Sequence, residues 1–221
     1  MAGNDFAAQV QEDLKSFLDR PHELFFNEKD FQVHLALFLR GTGHYDDVDV
    51  EYYIPYSEFG EDYVWKNELY IDVVVRRGAA YIPIELKYPT KKIARRIKRF
   101  GEQLQEDITI VKTQGAHNIG MYSFWKDVRR MELVKKRFAS VAAGFTVWLT
   151  NDPAFWSTHR ETATSREMTA EDGVHGRSRC WHDSSLSANH PGFFLDNEYN
   201  IQWHDAANEY ATFRYCITRI V

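Results

Sequence analysis

From Asn27 onward, apolar residues fall at Phe31, Leu35, Phe38 and Leu39, the three-and-four spacing of one helix face. Asn27 stands where an N-cap belongs, Glu28 lies in the first turn and Gly41 ends the run, which predicts a helix over 28–40. An earlier amphipathic helix over 4–19 presents Phe6, Val10, Leu14, Phe17 and Leu18. The period then changes. Val48, Val50, Tyr52 and Ile54 alternate with Asp49, Glu51 and Tyr53, as a half-buried strand requires. Leu69 to Val75 is an apolar, β-branched run, Arg76-Arg77-Gly78 makes a turn, and Ala80 to Tyr88 runs back as a hairpin. Pro83 has no N–H for a central ladder, so it marks either the strand's beginning or a bulge.

Beyond the hairpin, Ile93, Ile97, Phe100 and Leu104 share a helical face among many cations, which predicts an inserted basic helix over 90–113. Met121, Phe124, Trp125, Val128, Met131, Val134 and Phe138 predict a second long helix, broken at Gly144. Phe145 to Thr150 reads as a buried strand closed by Asn151-Asp152-Pro153. Ser157 to Pro191 is polar and aperiodic, a loop long enough to be mobile or functional. Phe213 to Val221 is a further β-type run, expected to add to a sheet or form a small one of its own. With 221 residues, the expectation is one domain: a core over 27–152 and a C-terminal extension over 153–221.

Charge sharpens this picture. The net charge of −5 argues against a generic nucleic-acid binder, but its distribution is uneven. Residues 1–89 carry 8 basic and 17 acidic side chains, residues 90–140 carry 13 and 5, and residues 141–221 carry 6 and 10. Such a central basic block is the footprint of a polyanion contact, or else a solvated helix face. The start of the chain has neither a basic patch nor an apolar signal core, and the apolar stretch Val141 to Leu149 is too short to cross a bilayer. Only two cysteines occur, Cys180 and Cys216. A cytoplasmic protein with no membrane partner is expected.

Candidate chemistry lies on the hairpin. Glu85 and Lys87 are two apart, so they share a strand face, with Ile84 and Leu86 on the other. Asp72 lies on the partner strand. Paired carboxylates supply the hard oxygen ligands that Mg²⁺ or Mn²⁺ prefers. A neighbouring lysine can hold a water and stabilise charge developing on phosphorus. The same three residues could instead form a cross-strand ion pair on a solvated face. Glu28 is equally explained by its favourable place at a helix N-terminus. Asp127 and Arg130 share a helix face and could either pair locally or orient the site; Gln103 could lie near a scissile phosphate or merely on a helix surface. His175, Cys180, His182 and His190 do not have the spacing of a structural zinc site.

The order helix, three strands, helix, strand, with Glu28, Asp72 and Glu85-Leu86-Lys87 at these places, resembles the PD-(D/E)XK nuclease superfamily. Tyr81 to Tyr88 is similar to its third-strand motif, and Lys126 to Glu132 and Leu149 to Asp152 look like a bacterial branch of it. The likeness spans roughly 27–152, with Ile71-Asp72 in place of the usual Pro-Asp. It implies an α/β, restriction-endonuclease-like core: a helix, a three-stranded antiparallel meander, a helix and a fourth strand. The N-terminal helix, the inserted basic helix and the C-terminal β extension would be additions to it. It further implies that Asp72, Glu85 and the Leu86 carbonyl bind Mg²⁺ or Mn²⁺, that Lys87 positions the attacking water, and that Glu28 contacts the metal or its water.

The expected activity is phosphodiester hydrolysis in DNA rather than RNA, by an endonuclease rather than an exonuclease, and a homodimer is one way to cut both strands. Lys91, Lys92, Arg95, Arg96, Lys98 and Arg99 begin just after Lys87 and would track phosphates. Two alternatives stand beside this: a non-catalytic nucleic-acid- or protein-binding module on the same fold, and a nuclease subunit active only with a partner.

Overall fold

The computed structural model describes residues 2–21, 24–158, 163–182, 185–208 and 211–221. Helix α1 (Ala2–Asp19) leads into α2 (Glu28–Thr42), and the strands β1 (Asp47–Ile54), β2 (Leu69–Arg77) and β3 (Ala80–Lys87) follow. Helix α3 (His117–Arg137) precedes β4 (Gly144–Thr150), and the chain closes with β5 (His204–Ala206) and β6 (Phe213–Ile220). These strands form one mixed sheet in the order β1-β2-β3-β4-β6-β5. Only β3 and β4 run parallel, from Ile84↔Phe145 to Lys87↔Trp148. A parallel pair needs a long crossover, and here it is made of the segment before α3 and α3 itself.

Each local element has a visible cause. The Asn27 side chain accepts the Asp30 N–H at 2.9 Å and starts α2. The helix runs past the expected stop at Gly41 and ends at Gly43, whose φ of 71° is open to glycine at little cost. Phe6, Val10, Leu14, Phe17, Phe31 and Leu35 pack against Val73, Val75, Ile82, Ile84 and Leu86 on one face of the sheet. Met121, Phe124, Trp125, Val128 and Met131 of α3 pack against Leu69, Ile71, Val74 and Trp148 on the other. The structure is therefore a mixed sheet with helices on both faces. No helix among the described residues is long and apolar enough to cross a membrane.

Pro83 is accommodated inside a central strand. Towards β2 it sits in register opposite Val74. Towards β4 it lies between an isolated bridge, Tyr81↔Val141, and the continuous ladder that begins at Ile84↔Phe145. The missing N–H thus falls where that ladder is broken.

The segment expected as a basic helix over 90–113 is β-structure instead. Ile93–Arg95 pairs with Ile108–Val111, and Lys98–Arg99 pairs with Glu102–Gln103. Leu104 N–H donates to the Ile97 carbonyl between them, and Thr90 Oγ1 donates to the Lys112 carbonyl at the base. The β-branched run Ile108-Thr109-Ile110-Val111 offers a partner strand, and Gly101 weakens any helix through the middle. Ile93, Ile110 and Val111 are buried against the layer that holds Leu24, Phe25 and Tyr88. The cations Lys91, Lys92, Arg95, Arg96, Lys98 and Arg99 all stay exposed.

The C-terminal run joins the main sheet, with β6 lying between β4 and β5. The loop expected over 157–191 holds short ribbons, Gly173–His175 with Tyr199–Ile201 and Ser178–Arg179 with Phe193–Phe194. Residues 159–162 and 183–184 of that loop lie outside the described residues. Buried Glu132 of α3 ties this layer down by accepting the N–H groups of Asp196 and Asn197 and the Tyr199 hydroxyl.

Candidate active site

The site forms where β2 and β3 part. Their ladder runs from Arg77↔Ala80 to Val73↔Ile84 and stops there. Continued, it would next bond the Leu86 N–H to the Ile71 carbonyl. That N–H donates to Asp72 Oδ2 at 2.8 Å, and the next one on the same edge, Tyr88 N–H, donates to Glu28 Oε2 at 2.9 Å. Two carboxylates from different elements thus replace backbone acceptors along the edge of β3 that β2 leaves unpaired.

Strand β2 is also out of phase at this point. Val73 and Val75 face the α1/α2 layer, yet Leu69, Ile71 and Val74 all belong to the α3 layer. Strict alternation would put Ile71 with Val73. The slip falls at Asp72, opposite Glu51, whose φ is 53°, and the β1–β2 register skips that one pair. Gln32 of α2 fills the gap: its Nε2 donates to the Asp72 carbonyl at 2.6 Å and to Glu51 Oε1 at 2.8 Å. Gln32 is buried and stands one helical turn after Glu28. That polar residue on the buried face of α2 was the available sequence signal for it.

Glu85 and Lys87 point towards α3, while Ile84 and Leu86 point into the opposite layer, as their spacing requires. Lys87 Nζ lies 2.7 Å from Asp127 Oδ2 and 3.2 Å from the Leu86 carbonyl. Arg130 Nη1 is 3.4 Å from Asp127 Oδ1, and its guanidinium stands 5.7 and 5.8 Å from the Tyr63 and Trp65 ring centres. Lys126 Nζ lies 5.5 Å from the Trp65 ring centre. Asp72, Glu85, Lys87, Glu28 and the Asp127–Arg130 pair are therefore gathered at one place. Gln103 is not: it sits exposed on the basic ribbon opposite Lys98. The helix that would have carried it alongside the site does not exist.

Burial dominates the electrostatics. Asp72 is pushed up to about 6 by desolvation, against the opposing pull of the Leu86 N–H and Lys87. Glu85 is raised well above the usual carboxylate range by burial, then by the charges of Asp127 and Asp72. Its Oε1 is buried and without a hydrogen-bond partner. Burial pulls Lys87 down, but Asp127, Glu28 and Glu85 outweigh it and hold the ammonium above its ordinary value. Lys126 falls to about 8, through burial and then the nearby Arg130.

Among the described residues, no three His, Cys, Asp or Glu side chains converge as a metal-holding group. The site offers two carboxylates and a backbone carbonyl. That set suits Mg²⁺, which commonly takes one or two carboxylates and completes its shell with water and phosphate. A buried, unpartnered Glu85 oxygen beside like charges is a place where a divalent cation would relieve a real cost. The residues fit the ion.

The chain matches no family model, no curated protein and no solved structure.

Proposed function

We propose that the chain is a metal-dependent nuclease with a PD-(D/E)XK-like site, acting on phosphodiester bonds of DNA. The observation that carries this is the pairing of Asp72 with buried Glu85 where β2 and β3 diverge, with Lys87 on the same face as Glu85. Asp72, Glu85 and the Leu86 carbonyl would hold Mg²⁺ or Mn²⁺. The ion would supply Lewis acidity and an acidified water at the scissile phosphate. Glu28, fixed by the Tyr88 N–H, places a further carboxylate at the edge. The Lys87 ammonium, held charged by its acidic neighbours, is suited to orient the nucleophile and to stabilise charge growing on phosphorus. Asp127 fixes the direction of Lys87, and Arg130 fixes Asp127.

Titration calorimetry of Mn²⁺ into wild type, Asp72→Asn and Glu85→Gln tests the site. Binding by wild type alone, followed by metal-dependent DNA cleavage that both variants lack, supports the reading. Retention of metal-dependent cleavage by Asp72→Asn sinks it.

One observation favours a partner-gated form of the same enzyme. Lys87 Nζ lies on the Leu86 carbonyl, one of the ligands the metal needs. A site that binds Mn²⁺ only when nucleic acid is also present would select that form.

A further inference from the structure

The basic ribbon ends in a feature that the catalytic site does not use. Arg99 pairs with Glu102, and the two residues between them, Phe100 and Gly101, both have positive φ, 52° and 84°. Tight hairpin turns with two such residues favour Asn or Asp followed by Gly. Phenylalanine is a poor choice there, because a bulky side chain at positive φ is strained. Among the described residues nothing packs on the ring to offset that strain. Phe100 is 105% exposed relative to a reference residue, the most exposed large apolar side chain among the described residues. A large apolar ring in a costly backbone conformation, with no packing, is the pattern of a side chain kept for an external contact.

Its surroundings identify that contact. Lys98 and Arg99 immediately precede Phe100, and Lys91, Lys92, Arg95 and Arg96 line the same ribbon, all exposed. The ribbon is fastened at its base to the end of β4 and along its side to the segment just before α2. Lys91 N–H donates to Asn151 Oδ1 at 2.8 Å, and Lys91 Nζ lies 3.3 Å from Asp152 Oδ1 at the end of β4. The Arg99 guanidinium stands 4.8 Å from the centre of the Phe26 ring, two residues before Glu28. A cavity of about 540 Å³ under β1 and the buried Arg179 lack any such pairing of charge with strain.

We propose that Phe100 is a base-stacking tip: its ring stacks on a nucleobase of a single-stranded or splayed segment while the ribbon's cations hold the flanking phosphates. Aromatic stacking combined with backbone cations is the general way that single strands are gripped without sequence readout. This rests on the nucleic-acid reading of the site, but not on catalysis.

The test is binding of a single-stranded oligonucleotide carrying one 2-aminopurine, in chelator so that no cleavage intervenes. Wild type is compared with Phe100→Asn, which suits the turn better and so should fold, and with Phe100→Tyr. The expected result is a change in 2-aminopurine emission with wild type and Phe100→Tyr. Phe100→Asn should lose that change and bind about tenfold more weakly. Equal binding and emission for wild type and Phe100→Asn overturns the proposal, and so does absence of binding by wild type. A homodimer that Phe100→Asn converts to monomer also overturns it, because the ring then serves a second copy. Absence of Mn²⁺ binding both without and with nucleic acid would sink the nuclease reading and leave this result standing.

Discussion

Asp72 accepts the backbone N–H of Leu86 through its side chain, at 2.8 Å, in the place the ladder assigns to the carbonyl of Ile71. The bond lets β2 and β3 separate without stranding a donor, and it brings the Asp72 carboxylate up to the edge of β3. The arrangement has an electrostatic cost, since Asp72 titrates at about 6 rather than 3.8.

That cost has a definite pH signature. Between the unfolded and folded values the native state keeps a proton that the unfolded chain has released. Asp72 should therefore subtract stability from metal-free wild type progressively as pH rises from about 4 to about 6, and that deficit should persist above. Asp72→Asn removes the cost while keeping an acceptor for Leu86. In chelator it should be more stable than wild type at pH 8, by up to about 3 kcal/mol, and no more stable below pH 4. Thermal unfolding across this range checks the prediction; a variant less stable at pH 8 refutes it. Added Mn²⁺ should raise the Tm of wild type only.

Lys87 and Asp127 should be strongly coupled. Each single substitution, Lys87→Met or Asp127→Asn, leaves a buried charge short of its partner and should cost roughly 3 kcal/mol. The double variant should cost less than the sum by at least about 1 kcal/mol in a denaturant double-mutant cycle. Additive losses would mean that the two groups do not form the pair described.

Gln32 should act on the metal through Asp72. Gln32→Leu leaves the Asp72 carbonyl and Glu51 without their shared donor, while the apolar replacement suits the surrounding burial. We expect Mn²⁺ affinity to fall at least tenfold by calorimetry, with folding retained. Unchanged affinity would show that the Asp72 kink does not need Gln32.

Glu132 should matter to stability rather than to the site. Glu132→Ala strips acceptors from two backbone N–H groups and the Tyr199 hydroxyl, and a partner from Arg129. It should destabilise by about 3 kcal/mol, and Tyr199→Phe by about 1 kcal/mol, in urea unfolding. Metal affinity should be unchanged in Tyr199→Phe.

The hydrophobic period by itself determined much of this protein. It placed α1, α2, α3 and the long strands to within a few residues, because each buries one face or one stripe of its own local sequence. Residue spacing put Glu85 and Lys87 on one face, since a strand alternates whatever surrounds it. The basic ribbon escaped this logic. Ile93, Ile97, Phe100 and Leu104 satisfy a helical period, yet the turn at Phe100-Gly101 interrupts it and pairing with Ile108–Val111, which lies beyond the local pattern, prevailed. The slip at Asp72 was equally hidden, because it arises from Gln32 and Glu51 on other elements. Which carboxylates share one buried space, and therefore which are forced away from their ordinary titration, was decided only when α2, the sheet and α3 closed around them.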